Sequence, residues 1–485
     1  MSKQRWFANL VLIGAALGSI AAGAMAFQTA RSYSVGLRQL LFVGGPILLG
    51  FALLACLRLP IDLRATLAVT LLSLVVAAFG AEAYLRELPL LRVRWAARHF
   101  GIPYDSRSQY EVVRDLRAQG KDAWPAGFPS WQGFRLENEG ILPLGGISRV
   151  QTVFCNEMGR YVLYSSDEHG FHNPEGIWSS GKIEIAALGD SFTQGSCVES
   201  GQNFVARLRQ ARPATLNLGM LGNGPLLMLA GLREFLVDLR PRIVLWVYTE
   251  GNDLTFDLHR ERKQALLMEY LRPGHRQGLV EEQSRIDELL RGLIEREYDR
   301  RSDGMAPERT FSRFFKLWAL RQALGLYVGQ DDPRRIREDI PLFREILEQA
   351  QIATHGWGGE LYFVYLPAEA RYFDGKWKRE HDWLRDRVLG IVSELRIPLI
   401  DLDPSISGHP HVPDLYAFRG GHFSPAGYQL AAETILKALP LPASEGPGPG
   451  SASTSVSALR SSSSEGAPGR TRTRVGPARD RARVR

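Results

Sequence analysis

The segment Lys182–Leu439 constrains the fold most, because short apolar runs alternate there with helical stretches. Short apolar runs closed by turn residues predict buried strands; the five here are Ile183–Leu188, Thr215–Leu218, Ile243–Tyr248, Leu361–Leu366 and Pro398–Leu402. The predicted helices are Leu226–Leu239, Leu342–Ala353, Trp377–Leu395 and Pro425–Leu439. Alternating strands and helices predict an α/β fold with a central parallel five-stranded sheet.

Residues 1–95 predict a membrane anchor of about three transmembrane helices. The apolar runs Trp6–Phe27, Leu40–Leu57 and Ala65–Ala81 each approach the length that crosses a bilayer. Buried helices of a soluble core are the alternative, but three such runs in succession, before any amphipathic pattern, favour a membrane.

The first run also resembles a signal peptide, with Lys3 and Arg5 before it and Ala24-Met25-Ala26 near its end. Cleaved or uncleaved, it leads to the same arrangement, with Leu85 onward on the periplasmic or extracytoplasmic side of a bacterial cell membrane. The charge rule for membrane proteins does not support this orientation, because several arginines near the spans then lie outside.

Three further regions complete the predicted organisation. Residues 96–181 form a small irregular lead-in subdomain with the β-like runs Gln151–Phe154 and Arg160–Tyr164. The α/β domain covers 182–440 and is interrupted at 254–342 by a charged helical insertion, which is either a lid or a solvated decoration. Residues 441–485 predict a disordered basic tail.

The net charge of +7 does not indicate a nucleic-acid-binding protein. Residues 441–485 hold eight arginines and three acids, so this Ser-, Pro- and Gly-rich tail carries five of the seven excess positive charges. Such a tail is better read as solvated than as a binding surface, and we expect no nucleic-acid partner. The sequence leaves the oligomeric state open.

The chain has three cysteines, Cys56, Cys155 and Cys197, and none has the spacing of a metal site. Cys155 and Cys197 could pair in an oxidising compartment; two buried free thiols are the interpretation that we favour. The run Gly189–Gly195 lacks the lysine of a phosphate-binding loop. We therefore expect neither a metal nor an organic cofactor.

Polar residues cluster where the predicted strands end. Ser191 follows the first strand in Gly189-Asp190-Ser191, Gly222 follows the second, and Asn252 and Asp253 follow the third. His422 stands just before the last helix. A serine nucleophile needs a neighbouring base, and the N–H groups of Ser191 and Gly222 with the Asn252 amide could stabilise an oxyanion. Each piece alone is weak, and their joint occurrence at strand ends indicates acyl chemistry.

These segments resemble the SGNH, or GDSL-type, hydrolases over about Lys182–Leu439. The resemblance implies a three-layer α/β/α sandwich, with Ser191 as nucleophile and His422 as base. It also implies an oxyanion hole formed by Ser191, Gly222 and Asn252, with Asp190 and Asp253 in supporting positions. The run Ser165–Pro174 is similar to a lead-in of bacterial members.

One position departs from that pattern. The family usually carries an aspartate three residues before the histidine, and here Arg419 stands at that place. Asp414 is our candidate for the missing acid, with Asp401 and Asp403 as alternatives; a Ser–His dyad oriented by a backbone carbonyl is equally consistent. Loss of a triad acid can cost orders of magnitude in rate.

We therefore predict a membrane-anchored serine esterase or O-acyltransferase that acts on acyl, such as acetyl, esters of bacterial cell-surface or secreted glycan, or on a small ester. Two alternatives remain. A lipid-directed esterase would exploit the nearby membrane, and a non-catalytic glycan-binding or assembly protein would keep the fold with a weakened site, as Arg419 suggests.

Overall fold

The computed structural model describes residues 3–30, 43–127, 133–302, 313–324 and 333–441, and its central element is a five-stranded sheet. The strands are β4 Ile185–Gly189, β5 Thr215–Gly219, β6 Ile243–Thr249, β7 Glu360–Leu366 and β8 Leu399–Asp401, after the three short strands β1 to β3 of the lead-in. All neighbours pair in parallel, in the order β5-β4-β6-β7-β8. The predicted α/β class and sheet are confirmed, with strand ends shifted by up to two residues.

Two separate apolar cores make this a three-layer sandwich. Alternate residues of one strand point to opposite faces, and in β6 Val244 and Trp246 belong to one core while Ile243 and Leu245 belong to the other. The helices Pro225–Gly231, Pro333–Gly356 and Gly375–Glu394 contribute to the first core, and Phe204–Ala211, Asp403–Ser407 and Pro425–Ala438 to the second. Burial on both faces explains why the strands are almost wholly apolar.

The sheet order fixes where a ligand can bind. From β4 the chain moves to β5 on one side and then returns to β6 on the other side of β4. Such a reversal opens a crevice at the carboxyl ends of the strands. Ser191 begins the short helix Ser191–Gln194 directly after β4, so it lies at this crevice.

The lead-in forms its own small sheet. Strand β1 (Ala123–Pro125) pairs in parallel with β2 (Gln151–Val153), which pairs antiparallel with β3 (Leu163–Ser165). The helix Gln109–Ala118 packs on it, held at its start by a reciprocal Ser108–Glu111 cap. The loop between β2 and β3, residues 154–162, is called the β2–β3 loop below.

The described part of the insertion contains several helices and contacts the lead-in. Its helices are Leu258–Glu261, Ala265–Met268, Gln283–Ser302 and Trp318–Ala323, followed by Pro333–Gly356, which starts well before the predicted Leu342. Asp287 accepts hydrogen bonds from the backbone and hydroxyl of Ser148, at 2.9 and 2.6 Å. Arg117 pairs with Glu295 at 2.7 Å. These contacts tie the insertion to the lead-in.

Among its described residues, the N-terminal region contains three apolar helices, of which two are long and apolar enough to cross a membrane by length and composition: Lys3–Ala24 within the helix Lys3–Ala30, and Ile61–His99. The middle helix, Gly45–Ala55 with the turn Cys56–Arg58, is shorter than the predicted run Leu40–Leu57, whose first residues lie outside the described part. The predicted tail beyond residue 441 also lies outside it.

Candidate active site

The turn that carries Ser191 is shaped by its neighbours. The Asp190 carboxylate accepts the N–H of Phe192 at 2.9 Å and so caps the short helix, which Gly195 ends with a φ of 93°. A Cβ at Gly189 would lie 2.1 Å from the Thr193 hydroxyl, so only glycine lets the helix fold back on the strand. Burial raises the pKa of Asp190.

His422 and Ser191 are brought together across 231 residues. His422 Nε2 lies 2.8 Å from Ser191 Oγ. The histidine sits in the turn before the helix Pro425–Ala438, where its carbonyl accepts the N–H of Ala417 at 2.9 Å. The ring packs on Phe192, with centroids 4.8 Å apart. The structure thus gives the predicted nucleophile and base a direct hydrogen bond.

The carboxylate that orients His422 comes from the β2–β3 loop. Glu157 Oε1 lies 2.7 Å from His422 Nδ1, and Glu157 Oε2 accepts the backbone N–H of the same histidine at 2.7 Å. With Nδ1–H donating to the carboxylate, Nε2 is left to accept the serine proton. The arrangement can therefore deprotonate a serine hydroxyl and stabilise the imidazolium that results.

Asp414, the acid that the sequence suggested, does not occupy this position. Its side chain is exposed, and its backbone carbonyl accepts the hydroxyl of Ser424 at 2.6 Å, which fixes the start of the last helix. The alternatives are engaged elsewhere: Asp401 pairs with Arg385 and Asp403 accepts from Tyr372. The prediction of Asp414 is corrected to Glu157, and the dyad alternative is not needed.

Arg419 stands apart from the histidine pair. Its guanidinium donates to the carbonyl of Phe373 at 3.1 Å and lies over the ring of the same residue at 5.5 Å. Arg419, at the position where the resemblance implies an aspartate, therefore packs on Phe373. The carboxylate beside His422 comes from Glu157, in a different part of the chain.

A disulfide holds the β2–β3 loop beside the nucleophile turn. Cys155 and Cys197 are bonded, with their Cα atoms 5.2 Å apart, so the interpretation as two free thiols was wrong. The bond joins a residue two before Glu157 to one six after Ser191. Arg160 and Glu199 pair at 2.6 Å across the same two segments. These links position Glu157.

Two loops supply the candidate oxyanion donors. Met220 and Leu221, after β5, donate backbone hydrogen bonds to Gly189 O at 3.1 Å and Gln194 Oε1 at 2.8 Å, which holds Gly222 near the serine turn. Asn252 Nδ2 donates to Asp190 Oδ2 at 2.8 Å. Within the described residues, the N–H groups of Ser191 and Gly222 have no protein acceptor and can bind an oxyanion.

Among the described residues, the Asp253 carboxyl has no hydrogen-bond partner and is not part of this hydrogen-bonded set. It is fully buried, and burial together with the nearby carboxyls of Asp190 and Asp257 holds its pKa well above the ordinary value. The supporting position predicted for Asp253 is thus a buried one, next to Asn252 in the chain.

The run Ser165–Pro174 braces the serine turn from the lead-in. The buried Asp167 accepts Asn173 Nδ2 at 2.8 Å, and Asn173 Oδ1 accepts the N–H of Asn217 in β5 at 2.9 Å. His172 Nδ1 lies 2.9 Å from the carbonyl of Gln194, at the end of the serine helix. Burial lowers the pKa of His172 to about 4, so it remains neutral.

The electrostatics of the His422–Glu157 pair predict the pH dependence of acyl transfer. Burial acts to lower the pKa of His422, but the Glu157 charge and hydrogen bond outweigh it, so this pKa lies above its ordinary 6.5. Burial acts to raise the pKa of Glu157, and the His422 charge and hydrogen bonds lower it overall. The base works only when neutral, so we expect kcat/KM for an ester to rise with pH through a midpoint above 6.5.

A Glu157→Gln variant tests whether the Glu157 charge raises the pKa of His422. Removing the negative charge leaves burial to lower the His422 pKa, so the midpoint of the pH–kcat/KM profile should move to lower pH, whereas Asp414→Asn should leave it in place. A midpoint that does not move in Glu157→Gln would contradict the pairing.

Opening the disulfide is expected to impair the site and the fold. In Cys155→Ser/Cys197→Ser, Glu157 loses its tether, and misplacement of a catalytic group by about 1 Å can cost about 100-fold in rate. A crosslink closing a loop of 42 residues contributes about 2–4 kcal/mol to the free energy of unfolding. We expect kcat/KM to fall about 10- to 100-fold and the apparent Tm to drop. Cys56→Ser is the matched control; equal activity of both variants would contradict the tether.

Comparison with known proteins places this geometry in a family. The profile of the GDSL-like Lipase/Acylhydrolase family matches residues 187–430. No curated protein sequence matches the chain. Among solved structures, a G-D-S-L family lipolytic protein of Desulfitobacterium hafniense is similar at 12% identity, covering 53% of this chain and 100% of its own, with a TM-score of 0.30.

Two further structures are similar at the same level. A lipase/acylhydrolase of Enterococcus faecalis has 16% identity, 52% coverage of this chain, 93% of its own and a TM-score of 0.29. An acetylxylan esterase of Geobacillus stearothermophilus has 14% identity, 53% and 94% coverage and a TM-score of 0.31. The family profile spans half of the chain, from the strand before Ser191 to the helix after His422. The chain therefore belongs to the GDSL-like lipase/acylhydrolase (SGNH) family, whose members hydrolyse esters.

Proposed function

We propose that the protein is a membrane-anchored serine esterase whose triad is Ser191, His422 and Glu157, and whose substrates are acyl esters of extracytoplasmic glycan or of small molecules. The observation that carries this proposal is the unbroken hydrogen-bonded series from Ser191 Oγ through the His422 ring to the Glu157 carboxylate. Asp414 has no part in it.

In the proposed reaction, Ser191 Oγ attacks the ester carbonyl while His422 Nε2 takes its proton. The N–H groups of Ser191 and Gly222 and the Asn252 amide bind the oxyanion. His422 then gives the proton to the departing alcohol, which leaves an acyl group on Ser191. Water, deprotonated by His422, releases the acid; a sugar hydroxyl in its place would make the protein an O-acyltransferase.

The packing of the N-terminal helices supports the anchor. A Cβ at Gly23 would lie 2.6 Å from Ile47, and one at Gly50 would lie 2.5 Å from Ile20, so the first two helices pack closely and run antiparallel. Arg64 donates to Asn9 at 2.9 Å, which puts the starts of the first and last helices on one side. The first and last helices, which are long enough to span a bilayer, then start on the same side, so we propose that the α/β domain lies on the side opposite Lys3 and that the first helix stays uncleaved in the bundle.

The long helix Ile61–His99 supports a substrate outside the bilayer. Its apolar stretch ends at Glu82, whereas the β2–β3 loop contacts it at Ala97: a Cβ at Gly159 would lie 2.4 Å from the Cβ of Ala97. Fifteen residues of helix span about 22 Å. A site held about 22 Å along the helix from the end of its apolar stretch favours a glycan or small ester over an acyl chain that is buried in the bilayer.

We also propose that the lead-in (96–181) forms one catalytic unit with the domain 182–440, because Glu157 belongs to the lead-in.

A substrate series with the full-length protein in nanodiscs tests this function. We expect kcat/KM for acetyl nitrophenyl ester to exceed that for the dodecanoyl ester at least about tenfold, with acetate released from an O-acetylated polysaccharide. A reversed chain-length preference would favour the lipid-directed alternative. Glycan binding without turnover of any ester would favour the non-catalytic one.

A further inference from the structure

The part of the insertion between Arg313 and Leu324, called the aromatic–basic segment below, is fixed to the long helix where its apolar stretch ends. The Glu82 carboxylate is fully buried and accepts the N–H groups of Ala319 and Leu320, at 3.1 and 2.8 Å. Both oxygens of this buried carboxyl group thus accept hydrogen bonds from the segment, which offsets the cost of burying a polar group.

Aromatic contacts extend this attachment on either side of Glu82. The Phe79 ring lies 5.3 Å from that of Phe314 and 5.8 Å from that of Phe315. Arg86 lies 5.6 Å over the Phe314 ring. The segment therefore spans the change from the apolar to the charged part of the helix.

The composition of the segment suits a membrane interface. Its twelve residues contain three basic residues and no acid, together with aromatic and leucine side chains. Phe315 is 56% exposed and Leu324 is 62% exposed. Tryptophan, phenylalanine and leucine beside lysine and arginine are typical of elements that lie in the headgroup layer of a bilayer.

The exposed apolar side chains of the long helix indicate that lipid contacts the aromatic–basic segment. On the N-terminal side of Glu82, Leu74 is 62% and Val76 is 64% exposed, which is expected of a lipid-facing surface. The exposed apolar residues of the segment continue that surface at its edge, and its positive charge complements anionic headgroups.

We propose that the aromatic–basic segment is a second membrane contact, which inserts Phe315 and Leu324 into the headgroup layer of an anionic bilayer beside the end of the transmembrane helix. This inference rests on the proposed membrane anchor. Its consequence is that the insertion is attached to the membrane at one end and to the lead-in, through Asp287 and Glu295, at the other. This double attachment fixes the distance between the active site and the membrane surface.

The test places an environment-sensitive NBD dye on the full-length chain in nanodiscs. The background is Cys56→Ser, since the other two cysteines are paired. The dye is attached in Phe315→Cys, in Leu324→Cys, and in the control Lys376→Cys on the exposed start of the helix Gly375–Glu394. The discs contain phosphatidylcholine and phosphatidylglycerol at about 7:3, with or without lipid bearing a nitroxide at the headgroup.

We expect nitroxide lipid to reduce the emission at positions 315 and 324 by at least about half, and to leave position 376 unchanged. Replacing phosphatidylglycerol with phosphatidylcholine should weaken the quenching. If the chain enters the discs and both test positions behave like position 376, the inference is wrong while the anchor stands. If the chain does not enter the discs, the anchor itself is wrong, and the inference fails with it.

Discussion

Replacing Ser191 with alanine is expected to lower kcat/KM for an acetyl ester by about 10⁵- to 10⁶-fold. The hydroxyl is the proposed nucleophile, and its hydrogen bond is to His422 Nε2. The N–H of the residue at position 191 and the Gly222 loop remain, so substrate binding should be weakened little. Initial-rate kinetics on the purified full-length protein measure this loss, and a fluorophosphonate probe should no longer label the chain.

Ser196→Ala is the matched control for that experiment. Ser196 lies in the same turn and is buried, and its hydroxyl has no partner within the described residues. Its replacement should leave kcat/KM within about twofold and labelling intact, as for other substitutions that remove no interaction. Undiminished labelling of Ser191→Ala would show that the nucleophile lies elsewhere.

The sheet and the Ser191–His422 pair were predictable for a physical reason. Strands of a parallel sheet are buried on both faces, so their sequences are short apolar runs. The carboxyl ends of these strands lie at the same edge of the sheet. Ser191, Gly222 and Asn252 each follow such a run, so their approach can be inferred without coordinates. The helical run Leu226–Leu239 was less accurate, because a wider turn at Leu232–Leu236 interrupts it.

The triad acid could not be predicted in this way. Glu157 lies in a loop of the irregular lead-in, 265 residues before His422, and no periodic pattern relates the two. The spacing usual in the family, with an aspartate three residues before the histidine, points instead to position 419, where an arginine packs on Phe373. One signal was present: a disulfide between Cys155 and Cys197 places residue 157 beside the serine turn. Treating the two thiols as free removes that constraint.

Replacing Glu157 with glutamine is expected to lower kcat about 10⁴-fold, with a much smaller change in KM. Glutamine can fill the same space, but it is neutral and cannot stabilise the imidazolium that forms when His422 takes the serine proton. Its amide can also present a donor to Nδ1, which favours the wrong tautomer. Steady-state kinetics on an acetyl ester measure both constants.

Asp414→Asn is the control, because the Asp414 side chain is exposed and only its backbone carbonyl bonds Ser424. It should stay within about twofold of the unsubstituted protein. A loss below tenfold in Glu157→Gln, with a loss of hundreds-fold in Asp414→Asn, would restore the acid that the local sequence suggested.

Glu157→Asp separates charge from position. The shorter side chain keeps the negative charge but draws the carboxylate back by one methylene, so it cannot reach both Nδ1 and the backbone N–H of His422 at 2.7 Å without movement of the β2–β3 loop. The disulfide at Cys155 resists that movement. We therefore expect a loss of about 100-fold in kcat, smaller than in Glu157→Gln.

Opening the disulfide in Glu157→Asp should then recover part of the activity, because a freed loop can bring the shorter carboxylate back to the histidine. No recovery would mean that Cys155–Cys197 stabilises the fold without setting the position of the acid.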